Sequence, residues 1–316
     1  MTDNPWDYKG ILPAMPCPFR ADLSIDEDEL RRYTSWLISH AGITGLVTNG
    51  HTGEVFALNA AERAEVTRIV ADQVKGNVPV VSGICCEAIN EAKEHGAMAR
   101  DAGASGLLVM PPHMWLRFGM RDENVIDYFT AIGEASGLDL VVHVYPAWTR
   151  ASYSCELLAD LARIPHVKVF KMGTREMNKY ARDVKAIRDA DPDITVLTCH
   201  DEYLLPSMVQ GVDGALVGFA SFIPEMICEL YDLVCSNDLH AAMAVQNRIN
   251  PLKDAVYGAG EPTGDAHARM KTAMMLAGRL HSAVVQPPTK PPSDAEVALI
   301  RQALNDAGML SRQAAE

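Results

Sequence analysis

Apolar residues in this chain fall into two alternating kinds of segment. Near-continuous apolar runs of six to nine residues recur at 11–19, 43–49, 78–84, 105–111, 138–146, 167–172, 194–199 and 214–220. Such runs read as parallel strands covered on both faces. Between them lie longer stretches with apolar positions at helical spacing, at 26–41, 60–75, 88–102, 122–136, 155–163, 175–190, 201–210 and 224–236. Capping signals mark several helix starts, such as Ser24 ahead of Glu27 and Asn59 ahead of Glu62. Eight β/α units over about 230 residues match a TIM barrel in number and length. An open doubly wound sheet is the alternative. It calls for a topological switch point and usually fewer strands, and no GxGxxG follows a strand here.

Three further helical stretches follow, at 239–257, 265–281 and 293–307. Gly258, Gly260 and Pro262 separate the first two, and VVQPPTKPPS (284–293) the last two. The expected fold class is therefore α/β: a TIM (β/α)8 barrel over 1–236 with an appended C-terminal helical region over 237–316 packed on it.

Composition narrows the function classes. The 316 residues are 48% hydrophobic and carry a net charge of -13. An acidic surface argues against nucleic acid and against anionic membrane as partners. No basic segment leads into an apolar stretch at the N-terminus, and no apolar run reaches the roughly 18 residues that would span a bilayer. The seven cysteines are odd in number and mostly sit in apolar segments, which reads as reduced thiols in a cytoplasmic protein. Cys85 and Cys86 are adjacent and lack metal-ligand spacing.

Against this background Lys171 stands out, because it interrupts the apolar strand VKVFKM (167–172). Desolvation lowers a lysine pKa, and a neutral amine attacks carbonyl carbon to form a Schiff base. In a TIM barrel the active site lies at the C-terminal ends of the strands. That rule selects Gly50-His51-Thr52-Gly53 after strand two, His113 and Trp115 after strand four, and Tyr145 and Arg150 at the end of strand five. It also selects Lys171 near the end of strand six, and Cys199, His200 and Asp201 at the end of strand seven. The glycine-bracketed turn could aim backbone N–H groups and the Thr52 hydroxyl at a carboxylate, or be an ordinary tight turn. Tyr145 could carry protons, and Arg150 could pair with a second carboxylate. His143, within strand five, reads as a satisfied core histidine. His51, His113 and His200 could converge on a metal. No carboxylate set accompanies them, so no metal is expected.

With these residues in place, the chain resembles the family of dihydrodipicolinate synthase and N-acetylneuraminate lyase. The similarity runs from GILPAMPCPF through RMKTAMMLAG (269–278). It rests on GHTGE (50–54), on Tyr145 and Lys171 at the expected distance, and on Gly211 and Gly214. The resemblance implies a TIM barrel, usually a homotetramer, that forms a lysine Schiff base with pyruvate or another 2-oxo acid. By it, Lys171 is the Schiff-base lysine and Tyr145 the proton shuttle. His51 and Thr52 occupy the carboxylate-binding turn, and Arg150 the place of an arginine for a second carboxylate. His113, Trp115, His200 and Leu216 complete the expected substrate-binding set. The covalent imine leaves no need for a metal or organic cofactor.

The departures bear on substrate. His113 and Met114 stand where the synthases carry a tyrosine pair, and His51 replaces the first threonine of the turn. Cys199-His200 replaces a glycine, and Met172 an acidic residue. The Met114-Trp115 pair and the run His200-Asp201-Glu202-Tyr203 resemble hydratase-aldolases acting on aryl-substituted unsaturated 2-oxo acids. Trp115 and Trp148 would then wall an aromatic ring. The expected function is a Schiff-base lyase of the aldolase or hydratase-aldolase type, taking a small-molecule 2-oxo acid and an aldehyde. The alternatives are a dehydratase of a sugar-derived 2-oxo-3-deoxy acid, a dihydrodipicolinate synthase, and a non-catalytic barrel that binds a 2-oxo acid.

Overall fold

The computed structural model describes residues 6–146, 149–258 and 263–310. Eight parallel strands form the barrel: β1 (Gly10–Pro13), β2 (Leu46–Thr48), β3 (Val80–Ile84), β4 (Gly106–Val109), β5 (Asp139–Val144), β6 (Val167–Met172), β7 (Thr195–Thr198) and β8 (Gly214–Val217). They pair in the order β1-β8-β7-β6-β5-β4-β3-β2. The ring closes through the parallel bridges Ile11–Ile43 and Ala14–Val47. Strand β6 matches its apolar run, and the other strands are shorter than theirs, which extend past the strand at one end or both.

Helices cover the outside: α1 (Glu27–Ile38), α2 (Ala60–Val74), α3 (Ile89–Asp101), α4 (His113–Phe118), α5 (Asp122–Ser136), α6 (Cys155–Ala162), α7 (Met177–Ala190), α8 (Leu205–Met208) and α9 (Pro224–Cys235). Asn59 and Glu62 form a reciprocal capping box that starts α2. The expected cap at Ser24 is not formed. Asp26 caps α1 by accepting from the Glu29 N–H, and the Ser24 hydroxyl is spent on Asp22 at 2.6 Å. Helix α4, in the PPHMW stretch, was not expected from periodicity. It is one and a half turns long, too short for a helical repeat to register.

The barrel interior explains why apolar runs became strands. One inward residue from each strand builds an apolar plug: Leu12, Val47, Val81, Leu108, Val141, Val169, Leu197 and Leu216. The other face of each strand packs on the helices. Above the plug, the same inward parity continues to the polar rim of the barrel.

Three helices follow the barrel: α10 (Leu239–Tyr257), α11 (Ala266–Leu276) and α12 (Asp294–Asp306). Val245, Ile249, Met270, Met274, Ile300 and Leu304 join Leu30, Leu37, Phe222 and Ile227 of the first and last barrel units in one apolar cluster. Of the expected chain breaks, Gly258 ends α10, whereas Gly260 and Pro262 lie outside the described residues. Among the described residues, no helix is long and apolar enough to cross a membrane.

Candidate active site

A cavity of about 480 Å³ opens at the C-terminal end of the barrel. Its lining includes His143 and Tyr145 of β5 and the turn after it, Lys171 of β6, Cys199 and Asp201 after β7, and Gly218 after β8. The turn after β2 supplies Gly50, His51 and Thr52. The C-terminal helices add Tyr257, His267 and Met270, so the cavity wall draws on both parts of the chain.

Lys171 makes no hydrogen bond or ion pair among the described residues. Burial lowers its pKa, while Cys199 and Asp201 pull it back up. An amine so placed is a strong nucleophile facing the cavity, whereas burial raises the pKa of the neighbouring Cys199 thiol and keeps it protonated. Tyr145 Oη lies 3.1 Å from His51 Nε2, and the two share a hydrogen bond. Burial raises the Tyr145 phenol well above its usual value, so it stays protonated. Burial, reinforced by Lys171, pushes His51 down to about 3, so its imidazole is neutral at ordinary pH. The pair thus couples a protonated phenol to a neutral imidazole.

The turn is built to leave donors free. Its Gly53 N–H is spent on the Gly50 carbonyl at 3.0 Å, and the Glu54 N–H on the His51 carbonyl. Among the described residues the N–H groups of His51 and Thr52 have no acceptor. Gly53 packs so closely on Met15 and Asn49 that a side chain there would press on backbone. Below the turn, Glu54 adopts a left-handed conformation at φ 58 and is fully buried. Its carboxylate forms an ion pair with the buried Lys271 of α11 and accepts from the Gln286 N–H at 2.8 Å. Lys271 also donates to the Val284 carbonyl at 2.9 Å. Sequence reasoning quoted Glu54 within the motif and gave it no role, since its partner lies 217 residues away.

Several expected site residues stand elsewhere. His200 is buried against Tyr180 of α7, with ring centroids 5.2 Å apart, and does not line the cavity. Trp115 is 6% exposed and packs on Tyr128 of α5 at 5.2 Å, in the helix layer rather than in the cavity wall. Leu216 belongs to the apolar plug beneath the cavity. Arg150 lies beside Gly119 and Arg121 in a separate surface hollow. His113 is half exposed, paired with Glu87 at 3.4 Å and stacked 6.4 Å from His51. The three histidines considered for a metal therefore do not converge. Trp148 lies outside the described residues.

Other groups take their place. Asp201 receives the N–H of Phe219 at 2.7 Å and of Gly218 at 3.2 Å. Burial raises its pKa to about 6 against those bonds and Lys171. A side chain at Gly218 would meet the Tyr257 and Thr52 hydroxyl oxygens, so this glycine keeps their space open. Arg175 reaches the cavity while paired with Glu202 at 2.6 Å. His143, expected as a satisfied core residue, lines the cavity, and its Nδ1 has no partner. Away from the cavity, Cys86, Glu91 and His95 bring three metal-capable atoms together. The Arg63 guanidinium lies 3.1 Å from His95 Nδ1, the nitrogen that also faces Cys86 Sγ at 3.3 Å.

Comparison with known proteins gives a consistent result. The model of the dihydrodipicolinate synthetase family matches residues 7–307. The 4-hydroxy-tetrahydrodipicolinate synthase of Haloarcula marismortui is 31% identical over 86% of this chain and 85% of its own length. That of Methanopyrus kandleri is 30% identical over 96% and 98%. YagE, a prophage protein of the same family from E. coli K12 solved in complex with pyruvate, superposes with a TM-score of 0.87. It is 26% identical, covering 96% of this chain and 99% of that one.

Proposed function

The chain belongs to the dihydrodipicolinate synthetase family of class I Schiff-base lyases, and from that premise we propose that it is a lyase of a pyruvate-derived 2-oxo acid, with Lys171 as nucleophile. The observation that carries this reading is the unpaired, desolvated Lys171 facing one cavity with the Tyr145–His51 pair.

Lys171 attacks the C2 carbonyl of the 2-oxo acid. Tyr145 gives and recovers the protons of carbinolamine formation and collapse, and His51 holds its hydroxyl in position. The His51 and Thr52 N–H groups and the Thr52 hydroxyl hold the substrate carboxylate. The resulting protonated imine draws electrons from C3, which permits retro-aldol cleavage or loss of a β-hydroxyl. The imine supplies the electron sink, so the proposal requires no metal or organic cofactor. The second substrate is an aldehyde, or water in a hydratase.

Synthase activity like that named for the archaeal relatives is the weaker reading. Arg150 stands outside the cavity, and His113 and Met114 occupy the positions of the tyrosine pair. An aryl substituent gains no support from Trp115; Phe56, Leu116 and Met270 are the apolar lining that could hold one. A dehydratase of a hydroxylated 2-oxo acid is the second reading. Asp201, held near pKa 6 beside Lys171, could protonate a departing hydroxyl. A homotetramer and a cytoplasmic location are carried with the proposal from the family resemblance.

The decisive experiment is borohydride reduction in the presence of pyruvate, read by peptide mass spectrometry, with Lys171→Ala as control. An adduct of pyruvate mass on Lys171 supports the reading. No adduct on the folded protein, with pyruvate or with a longer unsaturated 2-oxo acid, would sink it.

A further inference from the structure

Strand β5 and the turn after it carry two inward side chains above the apolar plug, His143 and Tyr145, and the mechanism uses only the second. His143 lies two residues below Tyr145, so the pleat directs both to the same side. Their ring centroids are 4.5 Å apart. Across the sheet, His143 is the Cα partner of Lys171 itself. The imidazole therefore sits at the cavity floor, next to the strand that bears the nucleophile and between the plug residue Val141 and the phenol of Tyr145.

Its chemistry is unspent. His143 is 7% exposed and makes no hydrogen bond among the described residues; its Nδ1 is buried without a partner. A buried polar atom without a partner costs free energy, and an apolar side chain at this depth would avoid that cost. His143 nonetheless lines the cavity, and an imidazole there with no bond of its own to the protein points to a group that engages the ligand. Lys171, His51 and Arg175 are the charged or titratable groups that act on it, and with burial they keep its ring neutral.

We propose that His143 is the catalytic base at C3 of the Lys171-bound substrate, a role separate from the work of Tyr145 at C2. The proposal rests on the Schiff-base reading. In the step, the C3–H bond of the protonated imine breaks and the proton passes to a ring nitrogen of His143. The C–H electron pair becomes the C2=C3 bond, and the C=N π pair returns to nitrogen. The products are a neutral enamine and an imidazolium, and the reverse step returns a proton to C3. Tyr145 is ill suited to this step, because its hydroxyl is bonded to His51 and burial keeps it protonated.

The test is exchange of the pyruvate methyl hydrogens in D2O, followed by 1H NMR at saturating pyruvate, for the wild type, His143→Leu and His143→Gln. Borohydride trapping is run on each protein. The expected result is a trapped adduct on Lys171 in all three, with exchange slowed tenfold or more in both variants. Gln keeps the size and polarity of the site but takes up no proton, so it stands in if the Leu variant does not fold. Exchange at the wild-type rate in either folded variant, with trapping intact, overturns the proposal. A wild type that traps no 2-oxo acid overturns the Schiff-base reading instead, and this inference falls with it.

Discussion

A phenol held 3.1 Å from a neutral imidazole can lend a proton without losing its place, and Tyr145 and His51 are arranged in that way. Tyr145→Phe is expected to lower turnover by about 10²-fold or more while the fold and pyruvate trapping persist. Steady-state kinetics and mass spectrometry read the two effects separately, and unaltered turnover would remove Tyr145 from the mechanism. Trp115 carries the opposite expectation. It fills the helix layer against Tyr128, so Trp115→Ala should cost about 3–5 kcal/mol of stability and leave the ranking of accepted substrates unchanged. Urea denaturation and a substrate panel check this, and a changed ranking would restore Trp115 to the cavity. At this scale the sequence was readable wherever parity was applied. Lys171 faces inward, so Val169 does too, and beyond β7 the alternation that begins at Leu197 separates Cys199 and Asp201 from His200. The strand-end rule selects His200 together with Asp201, and of the two it is Asp201 that faces the cavity.

At the scale of elements, the turn after β2 depends on a helix far along the chain. Glu54 and Lys271 are both fully buried and neutralise each other, and the cation also lies over the Phe19 ring at 4.2 Å. Glu54→Gln leaves a buried ammonium without its anion and should cost about 3–5 kcal/mol. Glu54→Gln with Lys271→Met should cost less than the single change, because no charge is then stranded. Denaturant unfolding of both variants decides this, and a double variant no more stable than the single would refute the ion-pair account. The loosened turn should also raise KM for pyruvate more than it lowers kcat, since in the proposed mechanism it holds the carboxylate. Element positions were legible in the chain because strand runs and helical repeats differ in period. Helix α4 and the cap of α1 were not, because one lacks length and the other had a competing acceptor in Asp22.

For the whole molecule, the buried histidines tie stability to pH. Burial, then Arg175, lowers His200 to about 4, and burial with Lys171 lowers His143 well below its usual value. A group whose pKa is depressed on folding contributes stability above its unfolded value, near 6.5, and loses it as pH falls toward the folded value. His200 alone should therefore withdraw about 3 kcal/mol between pH 6.5 and 4. Asp201, raised to about 6, acts in the other sense and favours the fold as pH falls below that value. His200→Phe keeps the packing on Tyr180 and should shrink the stability difference between pH 7 and pH 4. Thermal melts across that range would show it, and an unchanged difference would exclude His200 from the acid limb. By itself the sequence determined the barrel, the family and the placing of Lys171, Tyr145 and Thr52 at one end of the barrel, since strand period, strand ends and a local motif are all short-range patterns. Only the tertiary structure decided that Glu54 meets Lys271, that Tyr257 and His267 close the cavity, that Trp115 and Arg150 lie outside it, and that His143 is left unpartnered beside Lys171. Those outcomes depend on barrel closure and on how the C-terminal helices pack, which bring together residues that no local pattern relates.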